Sequence, residues 1–406
     1  MKRIVIFITL AFLILIAFPE SAFADFGIVL KEDFNIEHID ETGITSKTTL
    51  FPWVSYPFGD VGGFYLSAGI SAAWSNGADY NGDLIFIPEL FRLEIYYSGF
   101  RIGRIFWQDV SLLAARGYFD GAELLLNAGK GSLGAAVFYT GFLYKDAANI
   151  NISPGDPADY TADFKWRDFS NTYFAPRRLA ASLYGEIPGL PYGRGILNAG
   201  LLAQFDFSDA EQAFNTQYLL LRYTFNYKRL DLSLAGALEL ENTQAFIKSD
   251  DDRLNLAYAG SAEIGLQTNL ITDRLSLGLR WASGESSGTA AFFPIVRETY
   301  GLVLTPILSG MMIMRANYQV RFLPSLAAEL GGRYFIRTDT KSYSDPYLNN
   351  DSRLLGAEAA ATIYWVPVSD FSLSLAGGIF FPKTGNAMAS NTPLRWAMNL
   401  SSTFSF

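Results

Sequence analysis

From Arg229 to Glu241 the chain reads RLDLSLAGALELE, and the same two-residue alternation recurs along most of its length. Successive side chains of a β-strand face opposite sides. Leu230, Leu232, Leu234, Leu238 and Leu240 therefore share one face, and Asp231, Ser233, Glu239 and Glu241 share the other. On a helix the same leucines would scatter around the circumference. The chain is built from ribbons with one oily and one polar face, and its fold depends on which solvent each face meets.

The alternation is clear near the C-terminus, where Leu394, Trp396, Met398, Leu400, Phe404 and Phe406 oppose Arg395, Asn399, Ser401, Thr403 and Ser405. Leu355, Ala357, Ala359, Ala361, Ile363 and Trp365 oppose Glu358, Thr362 and Tyr364. Leu254, Leu256, Tyr258, Ile264 and Leu266 oppose Asn255, Ser261, Glu263 and Gln267. Such runs exceed the ~5–6 residues usual for soluble sheets and are long enough to cross a bilayer at a tilt.

Connections alternate in length as well. Tight turns are expected at Ser98 and Gly99, 129–131, Tyr227 and Lys228, Leu323 and Pro324, and 366–368. Between them lie longer polar stretches at 109–117, 146–176, 208–213, 242–252, 284–310, 338–352 and 383–391. Short turns at one end and long loops at the other are the organisation of a transmembrane up-and-down antiparallel β-barrel. Counting under that rule predicts an all-β fold of about 18 strands, the first over 26–37 and the last over 394–406. The count requires 284–310 to be one loop, although 299–305 could pass for a strand; sixteen strands is the fallback.

Composition supports this reading. Half of the residues are hydrophobic, yet only 4–18 forms a long apolar run, interrupted by Thr9 alone. Lys2 and Arg3 precede that run and Ala22, Phe23 and Ala24 follow it, the pattern of a cleaved export signal over 1–24. Its removal takes the formal charge from −9 to −10. One barrel domain is expected over 25–406. The chain has no cysteine, hence no disulfide or thiolate metal site, and its acidic balance does not suggest nucleic acid. In lipid only helices or a closed ring satisfy every backbone donor and acceptor, and closure also removes exposed edges. Trp74, Trp281, Trp365 and Trp396 fall near strand ends on the oily face, where aromatic girdles meet the water–lipid boundary.

The final alternating strand ending in Phe406 resembles the assembly signal of outer-membrane proteins, which implies the barrel-assembly machinery and outer-membrane lipid as partners. Arg101-Ile-Gly-Arg104, followed by Gly117-Tyr-Phe-Asp-Gly-Ala122, is similar to a pattern in the alginate-export family of 18-stranded barrels and related porins. In that family Gln or Glu often follows the second arginine, whereas Ile105 and Phe106 do here. The resemblance implies a porin-like channel for carboxylated sugars.

If lipid takes the oily face, the polar face lines a lumen. That wall would carry Arg92, Arg101, Arg178, Arg222, Arg280, Arg315, Arg321, Arg333 and Arg337, with Glu239, Glu263, Glu329 and Glu358. Glu94, Glu186 and Asp231 share it. Arginine forks bind carboxylates at two points, so part of this ladder could guide anionic solutes; alternatively the charges neutralise one another and hydrate the wall. The arginines are densest at Arg315, Arg321, Arg333 and Arg337, which is where a selective strip is expected. The apolar centre of 284–310, AAFFPIV at 290–296, would fold inward to narrow the passage, pack over the rim or meet a neighbouring subunit. Asp250, Asp251 and Asp252, and Asn349, Asn350 and Asp351, lack regular calcium-ligand spacing and are expected on a solvated acidic surface.

Two other function classes compete. Outer-membrane hydrolases need a catalytic histidine with a positioned nucleophile; His38 stands beside Asp40 and Glu41 with no such partner evident. A barrel with a blocked lumen would serve adhesion or structure. The sequence favours a channel, not an enzyme, for passive or facilitated passage of small polar solutes, anionic ones or carboxylated sugars among them. No cofactor and no metal are expected.

Overall fold

A computed structural model describes residues 24–76, 82–153, 156–190, 193–208, 212–245, 254–268, 272–286, 289–349 and 352–406. The expected export signal lies outside them except for Ala24, as do Asp250, Asp251 and Asp252, together with Asn350 and Asp351. The strands are β1 (Asp25–His38), β2 (Thr42–Pro57), β3 (Gly62–Ser75), β4 (Ile85–Tyr97), β5 (Phe100–Gln108) and β6 (Arg116–Ala128). They continue as β7 (Gly131–Tyr139), β8 (Arg178–Pro188), β9 (Gly195–Asp206), β10 (Gln212–Tyr227), β11 (Leu230–Ala245) and β12 (Leu254–Gln267). The last six are β13 (Thr272–Ala282), β14 (Met311–Leu323), β15 (Leu326–Arg337), β16 (Leu354–Val368), β17 (Phe371–Phe381) and β18 (Arg395–Ser405).

Each strand pairs antiparallel with its sequence neighbours, and β18 pairs with β1, so the 18-stranded sheet is a closed ring. The N–H of Ile28 donates to the Phe406 carbonyl at 3.0 Å, and the N–H of Phe406 donates back at 2.9 Å. Closure removes both edges, the arrangement that satisfies backbone groups in lipid. The eighteen-strand count holds, and 284–310 is a single connection in which 299–305 contributes only an isolated bridge between Thr299 and Ile307. The oily faces point outward: Leu234, Leu238, Ile264, Leu277, Leu330, Ile363 and Leu400 are all exposed.

Two local expectations change. Residues 366–368 finish β16 rather than turn, and the chain reverses at 369–370, because Val368 still pairs with Phe371. Leu355 faces inward and is fully buried, because a register shift beside Gly356 flips the start of β16. A one-residue bulge exchanges the two faces, which alternation alone cannot reveal.

The wall has one low flank. β5 and β7 are nine residues each, and the β4–β5 pairing stops at Leu93 and Arg104. The 140–177 segment stands above them. Tyr173 donates its hydroxyl to the Pro88 carbonyl at 2.7 Å. Arg104 donates to the Leu90 carbonyl at 2.6 Å and to the Phe142 carbonyl at 3.0 Å. Side chains thus take over where the ladder ends. Gly103, at φ +121°, is needed there, since a β-carbon would lie 2.1 Å from the Leu93 carbonyl.

Candidate lumen site

The inner wall has two halves of different chemistry. Toward the long loops it is largely apolar: Phe119, Phe138, Leu202, Tyr218, Leu220, Ala237 and Ala257 are buried against Leu113, Ala115, Ile150, Phe292, Ile295 and Leu308. Those partners come from the 109–115, 140–177 and 283–310 connections, so all three enter the barrel. Main-chain bonds join them to one another. Ile295 N–H donates to the Ala114 carbonyl at 2.7 Å, Asn151 N–H to the Ile295 carbonyl at 2.8 Å, and Arg297 N–H to the Asn149 carbonyl at 2.7 Å.

Two of the inward segments, 109–115 and 283–310, are also held by wall or loop carboxylates. Asp109 accepts from the N–H groups of Ser111, Leu112, Ala114 and Ala115 at 2.7–3.0 Å. Glu358, on β16, accepts from Leu302, Val303 and Leu304 at 2.9–3.0 Å and from Arg333 at 2.8 Å. Glu239, on β11, accepts from Phe293 N–H at 2.8 Å, while Tyr218 donates to the Phe293 carbonyl at 2.6 Å. A carboxyl group bonded by several backbone donors, as Asp109 and Glu358 are, is a strong, directional anchor.

Toward the short turns the wall is charged and faces open space. One hollow of about 1070 Å³ is lined by Arg92, Glu94, Arg101, Glu123, Glu186 and Arg222, with Asp109, Val110 and Leu112 forming its roof. Arg92 donates to Glu94 at 2.8 Å and lies over the Tyr65 ring, 4.6 Å from its centroid. Arg101 donates to Glu123 at 2.7 Å, and Tyr184 donates to the same carboxylate. Arg222 differs. Its Nε lies 3.4 Å from Ser233 Oγ, and it meets no carboxylate among the described residues. Asn198 separates it in register from Glu186, across β9, and Glu186 likewise has no cationic partner among the described residues.

A second hollow, of about 840 Å³, is lined by Arg274, Arg321 and Glu329. Glu329 accepts from Gln319 at 3.0 Å, and Arg321 is exposed without a carboxylate partner among the described residues. A chain of pairs runs along the wall from this hollow: Asp231 with Arg274 at 2.6 Å, Arg274 with Glu263 at 3.0 Å, then Glu263 with Arg315. Gly278 makes room for it, because a β-carbon would lie 2.6 Å from Arg315 Nε.

The remaining candidates sit apart from the open space. Arg178 is fully buried at the start of β8 and pairs with Asp156 and Asp206. Arg337, 1% exposed, donates to the Ser352 carbonyl. Arg280 bonds the Tyr300 hydroxyl at 2.6 Å with its guanidinium over that ring. Of the dense set, Arg315, Arg333 and Arg337 are thus engaged with carboxylates, carbonyls and loops, whereas Arg321, and Arg222 elsewhere on the wall, face open space. His38 bonds Thr42 and stacks on Trp396, with ring centroids 6.0 Å apart. Glu123, Tyr184 and Asp109 are not among the lumen residues expected from the sequence. Glu123 and Tyr184 stand at inward alternation positions, but nothing in the pattern shows that Asp109 turns its loop into the lumen.

No family profile and no curated protein matches the chain. Solved structures do. OccK2 (OpdF) of Pseudomonas aeruginosa superposes with a TM-score of 0.61 at 12% identity, covering 94% of this chain and 97% of that one. The fold is that of the outer-membrane porins. The same OccK2 in complex with glucuronate gives 0.59 at 12% identity, with coverage of 94% and 98%. Pseudomonas aeruginosa OpdK with vanillate gives 0.60 at 11%, again covering 94% and 98%.

Proposed function

We propose that the protein is an outer-membrane channel for small polar solutes that carry a carboxylate, with Arg222 as the group that receives it. The carrying observation is the position of Arg222: it lines the larger hollow and lacks an internal carboxylate. A guanidinium in that state can form a two-point bond with a passing carboxylate. Glu186 and Asn198 beside it accept from, or bond to, hydroxyl groups, which suits a sugar acid better than a simple anion. The glucuronate and vanillate carried by two structural neighbours are carboxylates of this size, and the Arg101–Arg104 resemblance to alginate-export porins points to the same class. In this reading residues 1–24 direct export, and the strand ending at Phe406 directs assembly.

Liposome swelling with glucuronate, glucose and glucosamine tests the reading. Glucuronate should enter fastest, and Arg222→Ala should lower its rate about tenfold, the equivalent of ~1.4 kcal/mol, with little effect on glucose. Equal rates for the three sugars in both proteins would refute it. A blocked barrel serving a structural role is the second reading, favoured by the three joined segments inside the lumen; it requires zero conductance in planar bilayers.

A further inference from the structure

Beneath the 289–296 segment, four polar atoms of the inner wall face the interior with no hydrogen-bond partner: Gln204 Oε1 and Nε2, Thr216 Oγ1 and Glu239 Oε1. All three residues are fully buried. The register gathers them. Thr216 on β10 pairs with Gln204 on β9 at one side and with Glu241 on β11 at the other. Glu239 stands two residues from Glu241 on the same face. Directly paired side chains have β-carbons about 4.5–5.5 Å apart, and same-face neighbours along a strand about 7 Å. One point in this patch is therefore within side-chain reach of all four residues.

The patch holds two carboxyl groups with no cation beside them. Glu241 is 7% exposed and Glu239 is fully buried, and neither meets a cation among the described residues. Arg178, one row nearer the long loops, is already balanced by Asp156 and Asp206. Two carboxylates withdrawn from water are costly unless something neutralises them, and orphaned buried polar atoms call for a water or an ion. The oxygens at hand are two carboxylates, an amide carbonyl and a hydroxyl. Such a hard, all-oxygen set with irregular spacing suits calcium, which tolerates 6–8 ligands in flexible geometry; magnesium demands a near-ideal octahedron and keeps its waters.

We propose that Glu239, Glu241, Thr216 and Gln204 bind one calcium ion, with water completing its shell. The ion fastens the 283–310 segment to the wall, because Glu239 holds the Phe293 N–H with its other oxygen. This site is separate from Arg222 and stands or falls independently of what the channel carries.

The full chain, folded in detergent and stripped with EDTA, should be titrated calorimetrically with calcium chloride and with magnesium chloride. Expected is one saturable calcium site per chain, weakened at least tenfold in Glu241→Gln and absent in Glu239→Gln/Glu241→Gln. Calcium should also raise the melting temperature of the wild type but not of the double variant. Should the double variant fail to fold, Thr216→Val and Glu241→Gln must each weaken the site. No saturable binding, equal binding by the variants, or magnesium binding as tight as calcium would overturn the proposal.

Discussion

Arg104 and Asp120 form a two-point ion pair, 2.7 Å at each contact, on the face of the wall that presents Ile102, Phe106 and Tyr118 outward. Arg104 is 6% exposed, so the pair lies beneath the apolar belt rather than in water. It also holds the β4 edge through the Leu90 carbonyl. Removing one partner leaves the other charge uncompensated. Asp120→Ala should destabilise the barrel by about 3–5 kcal/mol, the range for breaking a buried pair. The readout is the temperature at which the folded, fast-migrating gel band converts to the slow one. An unchanged transition would show that water already solvates Arg104.

Glu358 anchors three consecutive N–H groups of the 283–310 segment as well as Arg333. Glu358→Ala should release residues 302–304 from the wall. Single-channel recordings are expected to show larger current fluctuations, and hydrogen exchange should speed up at Leu302, Val303 and Leu304. Each lost charged bond is worth about 1.5–3 kcal/mol, so the protection change should exceed tenfold.

Ile150 and Val296 form an isolated antiparallel bridge that joins two segments inside the lumen. Since the chain has no cysteine, Ile150→Cys with Val296→Cys gives a single possible crosslink. Bridge partners lie at a separation that disulfides accept. Oxidation should proceed to completion in the folded barrel, with conductance unchanged from the reduced form. A conductance change on oxidation would mean that the two segments part during conduction.

The long-loop end should respond to acid. Burial pushes the Asp339 carboxyl up, but bonds from the Ser342 hydroxyl and from the N–H groups of Ser342, Lys341 and Glu285 more than offset this. They hold it below its ordinary 3.8. A carboxyl depressed in the folded state contributes fully above its unfolded value, and that contribution disappears as pH falls through the folded one. Amide protection at Glu285 and Ser342, corrected for intrinsic rates, should therefore persist at pH 5 and fall below pH 3.8. Asp339→Asn should show the lower protection at both.

The ring was readable because lipid and lumen impose opposite demands on alternate positions: Leu234 and Asp231 cannot exchange faces without exposing one to the wrong solvent. The turns expected at Ser98 and Lys228 are present, and both residues adopt positive φ there. The apolar half of the inner wall was harder to see. Phe119, Leu202 and Leu220 sit at inward positions, but their reason for being apolar lies in Ile150, Phe292 and Ile295, far away along the chain. Which arginines remain free was not readable either. Arg222 and Arg315 occupy equivalent alternation positions, and only the location of Glu263 separates them.

Where β5 and β7 fall short, the 140–177 excursion completes the perimeter with Tyr173 and Phe142 instead of further rungs. On that flank the mouth is an insertion set into the staves, not a part of them. Exchanging such an inlay would remodel the entrance while every interstrand pairing stayed intact, so new cargo preferences could arise there without rebuilding the tube.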